Sequence, residues 1–144
     1  MELPRRPAIH GVIESILYVD DLARAVAFYR DTLGFAVLAG DGERFHALDA
    51  GGKGVLLLFK RGGTLTPMHV PGSGVIPPHD GRGPHHIAFA IDDVDYTAWR
   101  ARLVSAGVAI ESETQWGRGG RSVYFRDPDG HLVELVTPGI WANY

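Results

Sequence analysis

The chain has 144 residues, 45% hydrophobic and 22% charged, with a mean hydropathy of -0.02, a composition that supports a sizeable core and excludes global disorder and a multidomain array. Fourteen lysines and arginines against 17 acidic residues leave a net charge of -3, so no basic field recruits nucleic acid or an anionic membrane. The lack of cysteine excludes disulfides, thiolate metal sites, iron–sulfur clusters and thiol nucleophiles.

In chain order, the basic residues near the N-terminus have no apolar stretch behind them, and every apolar run is strand-sized; the expected location is the cytoplasm, with no membrane span. Residues 12–19 read as a strand, and Asp20-Asp21 supplies an N-cap for a helix over 22–33, whose Leu22, Ala25, Val26 and Tyr29 follow helical spacing until Gly34 ends it. Strands follow at 35–38, 45–48 and 55–59, separated by turns that include Gly51-Gly52. Residues 60–85 concentrate Gly and Pro without apolar periodicity and read as a long loop, a functional cover or a linker. Beyond it the same order returns: a strand at 86–91, a helix over 94–106 capped by Asp92-Asp93 and ended by Gly107, and strands at 108–111, 122–126 and 132–136.

The unit βαβββ therefore occurs twice, and Glu14 to Asp21 overlays His86 to Asp93 without a gap. Such a repeat is more informative than any single motif. The expected fold is α+β: one domain over 1–144, with module one at about 10–60, a connecting loop at about 61–84 and module two at about 85–138. Pairing the modules is expected to curve mixed sheets around a cavity, with helices outside. Strand alternation turns Ser15, Leu17 and Val19 toward the helix and Glu14, Ile16 and Tyr18 toward the cavity; the repeat then gives the cavity His86, Ala88 and Ala90. Phe28, Tyr29 and Trp99 read as core, and Trp141 as packing on the cavity or on a partner chain.

Tyr18-Val-Asp-Asp-Leu22 with Ala27-Phe-Tyr-Arg-Asp-Thr-Leu-Gly-Phe35, His86-Ile-Ala-Phe-Ala-Ile-Asp-Asp-Val94, and Ser122-Val-Tyr-Phe-Arg-Asp-Pro-Asp-Gly-His-Leu-Val-Glu134 together carry a family resemblance. The chain resembles the vicinal oxygen chelate superfamily, which includes glyoxalase I, fosfomycin-resistance enzymes, extradiol dioxygenases, methylmalonyl-CoA epimerases and bleomycin-resistance proteins. The resemblance implies one divalent metal per site held from the concave strands, and its ligand positions fall on His86, on Glu134 and, where relatives carry His or Gln, on Glu14. A fourth position, used by glyoxalase I, maps to about Leu56, which cannot ligate, so a four-ligand set is not expected. The resemblance also implies a homodimer with two interfacial sites, in which the strand of Glu14 from one chain faces the His86 and Glu134 strands of the other.

The residues themselves bear on this set. His85 and His86 are adjacent on a strand and point to opposite faces, and the repeat selects His86 for the cavity. Glu134 lies between Val133 and Leu135, where an unpaired carboxylate is costly; a metal offsets that cost, and the structural alternative is an ion pair with Arg126. Two carboxylates and an imidazole suit Mn, Fe or Mg, with Zn, Ni and Co also open. Glu14 is alternatively a general base beside the metal, and Tyr124 joins it as a candidate catalytic residue. Ser122, Tyr124 and Arg126 share one strand face and, with Trp116, Arg121 and His79 from loops, form the candidate substrate-binding set. The expected function is a divalent-metal-dependent, glyoxalase- or dioxygenase-like enzyme (a lyase, isomerase, transferase or dioxygenase) acting on a small oxygen-bearing substrate by Lewis-acid catalysis. The alternative is a non-catalytic protein that sequesters a small molecule, as bleomycin-resistance proteins do.

Overall fold

A computed structural model describes residues 1–144. Module one contains β1 (Glu14–Val19), α1 (Leu22–Asp31), β2 (Ala36–Gly40), β3 (Phe45–Asp49) and β4 (Val55–Lys60). A small hairpin follows, β5 (Met68–Val70) and β6 (Gly74–Ile76). Module two contains β7 (His86–Ala90), a 3-10 turn (Asp93–Asp95), α2 (Tyr96–Ser105), β8 (Ile110–Gln115), β9 (Arg121–Arg126) and β10 (Leu132–Val136).

The two sheets repeat one topology, β1-β4-β3-β2 and β7-β10-β9-β8. In each, the first strand lies at an edge and pairs parallel with the last, while the remaining pairs are antiparallel. This is the expected α+β pair of βαβββ modules with mixed four-stranded sheets.

The helix-facing sides of both sheets share one core. Leu17 and Val19 of β1 pack with Ala25 and Tyr29 of α1, and the cluster continues into Leu103 of α2, Val123 and Phe125 of β9 and Val133 and Leu135 of β10. At about 25 cal/mol per Å² of apolar surface removed from water, this continuous cluster is the main force joining the modules. Because the helix-facing sides are joined, the opposite sheet faces line separate cavities within one chain, and the modules share a groove between the β1 and β7 edges.

Polar contacts fix the junction. Tyr29 donates its hydroxyl to Asp127 Oδ2 at 2.6 Å, and burial together with that carboxylate pushes the phenol well above its usual pKa. His131, fully buried, accepts the His85 backbone N–H on Nδ1 at 2.8 Å and donates from Nε2 to the Tyr18 carbonyl at 2.6 Å. Arg102 of α2 donates to the carbonyls of Asp31 and Thr32, at the end of α1. The Asp127-Pro-Asp-Gly-His131 segment is thus an inter-module clasp.

Several local expectations change. Asp21 caps α1 through Arg24 N at 3.0 Å as expected, but no side chain caps α2, which starts from a 3-10 turn with Asp95 at its N-cap, and the Asp93 carboxylate pairs with Arg121 instead. The strand expected from residue 108 begins at Ile110: Gly107 at φ +75° and Val108 close the helix end onto Val104 and Leu103 carbonyls. The long loop contains the β5–β6 hairpin, whose three-residue strands are too short for a periodic signal. It is tied down onto Tyr18, which bonds Thr64 at 2.9 Å and also His79, so Tyr18 is buried beneath this strap.

Candidate functional site

The floor of the module-two site is β7, β10 and β9 side by side. His86 pairs with Leu132 and Glu134 with Ala88, so His86 and Glu134 are diagonal neighbours on one sheet face; Tyr124, directly opposite Glu134, shares it. His86 Nε2 lies 3.1 Å from Glu134 Oε1. The two side chains that sequence and resemblance selected do meet.

Their surroundings define the protonation pattern. His86 Nδ1 is 2.9 Å from the Leu132 carbonyl, which can only accept, so Nδ1 carries the proton. In the neutral imidazole the Nε2 lone pair therefore faces a carboxylate oxygen. Two donors of electron pairs at 3.1 Å repel unless a cation stands with them, either a proton on Nε2 or a metal ion. The other carboxylate oxygen, Oε2, accepts the Ser122 hydroxyl at 2.5 Å, and Ser122 Oγ in turn accepts from Trp116 Nε1 at 2.8 Å. Glu134 and Ser122 are buried, whereas half of the His86 side chain is open to solvent. A histidine whose far nitrogen is fixed by a backbone carbonyl, beside a carboxylate oriented by a hydroxyl, is the arrangement that outer partners impose on metal ligands. The donor chemistry fits a divalent metal, with two ligands supplied.

The third expected donor, Glu14, lies elsewhere in the chain. Within one chain no three His, Asp or Glu side chains come together as a metal-binding group. Glu14, the first residue of β1, lies at the rim of a module-one cavity and of a groove between the β1 and β7 edges, and lines no part of the His86 cavity. The counterpart of Glu134 is also displaced by one residue from the expectation: the sheet registers align it with Leu57, not Leu56, which is buried in the core. Leu57 faces the module-one cavity and, like Leu56, offers no lone pair.

The proposed substrate residues divide. Trp116 and Tyr124 line the module-two cavity of about 460 Å³ with His86 and Glu134. Ser122 acts behind the carboxylate. Arg126 shares the strand parity of Ser122 but is held by Glu111 at 2.7 Å and by the Gly130 carbonyl, so the alternative ion pair with Glu134 does not form. Arg121 lies on the opposite face, 4.2 Å over the Tyr96 ring and paired with Asp93. Tyr96 itself is pushed up to about 12 by burial and by its hydrogen bond to Glu113. His79 belongs to the module-one cavity, where it bonds Tyr18. These arginines were misassigned to the cavity because their partners are distant in sequence.

Sequence reasoning left Trp141 between the cavity and a partner chain and missed Tyr144. Both line it, and Tyr144 donates to the Val136 carbonyl at 2.8 Å, folding the C-terminal segment into a wall. The cluster of aromatic residues after the last strand was the available signal.

Fold, repeat and site define a class: the chain belongs to the Glyoxalase/Bleomycin resistance protein/Dioxygenase superfamily, whose family model matches residues 10–135. Among its relatives is the metallothiol transferase FosB of Staphylococcus epidermidis, 32% identical over 130 residues that span 90% of this chain and 84% of that protein. FosB of Shouchella clausii is 45% identical over a shorter stretch of 58 residues, 36% of this chain and 37% of that protein. Among solved structures, a lactoylglutathione lyase from Agrobacterium tumefaciens superposes with a TM-score of 0.83 at 29% identity, covering 94% of this chain and 99% of that one. No helix is long and apolar enough to cross a membrane.

Proposed function

We propose that the protein is a divalent-metal-dependent enzyme acting on a small oxygen-bearing substrate, with His86 and Glu134 as two of the metal's ligands. The observation that carries this reading is the His86–Glu134 pair, in which Nε2 lies 3.1 Å from a carboxylate oxygen on a half-open face while every other polar atom of the pair is engaged. The similarity to a metallothiol transferase supports the same cofactor class.

Glu14 of a second copy supplies the third donor. This is consistent with β1 and β7 being sheet edges, with the outward direction of both concave faces, and with an incomplete donor set within one chain. When bound, a divalent ion supplies Lewis acidity that stabilises developing negative charge on a substrate oxygen. The protein's own residues do the rest. Ser122, held by Trp116, fixes the Glu134 carboxylate; the Leu132 carbonyl fixes the His86 ring; Tyr124 presents a hydroxyl on the same face, within weak reach of Thr114 at 3.5 Å and thus free to bond a substrate oxygen. Trp116, Trp141 and Tyr144 bound an apolar chamber that limits water.

A second reading, sequestration of a small molecule without chemistry, draws on the same aromatic walls. Elemental analysis separates them. Tag-free protein loaded with Mn, Fe, Ni or Zn is expected to retain about one ion per chain and to lose it in His86→Ala, Glu134→Ala and Glu14→Ala. Wild type that retains no ion under any loading would leave the sequestering reading in its place.

A further inference from the structure

The two cavities differ in charge. The module-two cavity is lined by no lysine or arginine, whereas the module-one cavity contains Arg44. Arg44 is held out from the turn before β3, where the Asp41 carboxylate accepts three consecutive backbone N–H groups, those of Glu43, Arg44 and Phe45. All three bonds fall on Asp41 Oδ1; Oδ2 stands 3.9 Å from Arg44 Nε, an ion pair too long for a hydrogen bond.

The Nε–H is shielded from solvent and has no hydrogen-bond partner, and one terminal nitrogen rests on the Met68 sulfur, a weak acceptor. A guanidinium with unused donors, set between Phe59, Leu57, Ile76 and Met68, is a ready receptor for a planar or tetrahedral anion attached to an apolar body. Gly63 makes room for it: a Cβ there would stand 2.9 Å from Arg44 Cγ and 2.9 Å from the Lys60 carbonyl oxygen. Glu14 lines the same cavity and repels a second negative group, which orients the ligand with its acidic end at Arg44.

We infer that Arg44 is the anion-recognising residue of this protein, and that its ligand is a small organic acid, a carboxylate or phosphonate, whose apolar portion lies under the β5–β6 hairpin. The inference rests on the proposed function, in which Glu14 of a second copy, at the rim of this cavity, completes the metal site; it names the substrate class, and it replaces Arg121 and Arg126 in that role.

The test uses full-length, metal-free, ¹⁵N-labelled protein titrated with butylphosphonate, butyrate and n-butanol while the arginine Nε–H resonances are followed. Its outcome does not depend on whether His86 and Glu134 hold a metal. Both acids are expected to shift the Arg44 resonance saturably, and n-butanol to leave it in place. Arg44→Gln should weaken binding of the acids about tenfold to a hundredfold, and Arg44→Lys, which keeps the charge but not the fork, by less. Gly63→Ala, with Arg44 retained but displaced, should also weaken it. Absence of saturable binding, equal binding of n-butanol, or wild-type affinity in folded Arg44→Gln would each overturn the assignment.

Discussion

Module one and module two have the same strand order and register, yet only one of them holds a polar relay. Where β10 carries Glu134 opposite Tyr124, β4 carries Leu57 opposite Ala47; where β9 carries Ser122 opposite Val136, β3 carries Phe45 opposite Phe59. The first strands differ likewise, with His86 in one and Glu14 in the other. Module one is covered by a hairpin tied to Tyr18, while module two is bounded by the aromatic C-terminal segment. A repeated scaffold has thus been divided into a half that fixes two donors and a half that offers a carboxylate, a guanidinium and a cover. The difference teaches that the fold supplies positions, and that individual residues at equivalent positions supply chemistry.

The largest effect that would break this comparison is at Glu134. Glu134→Ala should lower metal affinity by more than about 100-fold, whereas Leu57→Ala at the equivalent position should leave metal content unchanged and cost about 1–2 kcal/mol of stability. Metal titration and thermal melts of the two variants check both halves. Ser122→Ala tests the support behind the carboxylate: it leaves Glu134 Oε2 and Trp116 Nε1 without their partner. It should reduce metal affinity about 10- to 100-fold with His86 intact.

Two further changes concern the junction. His131→Ala removes a fully buried ring bonded at both nitrogens and should destabilise the protein by about 2–4 kcal/mol in denaturant unfolding, with little change in metal content. The smallest effect is on pH dependence. Burial, and next the neighbouring His131, hold the His85 pKa below 6.5. The unfolded chain then binds the extra proton first, so stability is complete above 6.5 and falls as pH drops through the lowered folded value. Thermal melts between pH 7.5 and 5 should show that decline, and His85→Phe should flatten it.

Much of this was legible in the sequence. Period-two alternation and the internal repeat turned His86 toward the cavity and sent Leu17 and Val19 to the core, because strand geometry leaves each side chain only two directions; Glu134 was added by the family resemblance. What remained hidden depended on competition among distant partners. Arg126 and Arg121 chose Glu111 and Asp93 over the cavity, and nothing in the local pattern of β9 announces those choices. The Trp116–Ser122–Glu134 chain is equally invisible, since it requires a turn to bring an indole N–H across a strand. Tyr18, expected to face an open cavity, is covered by a strap whose hairpin is too short to leave a periodic trace.

The central claim is that one metal site is completed by two copies, and complementation between variants tests it directly. Glu14→Ala and His86→Ala, each unable to hold metal alone, are mixed, allowed to exchange subunits and loaded with Mn. If Glu14 acts in trans, half of the mixed dimers' sites are intact, and a randomly exchanged mixture should recover about one quarter of the wild-type metal content. Dimeric mixtures that recover none, while wild type binds fully, would contradict the account.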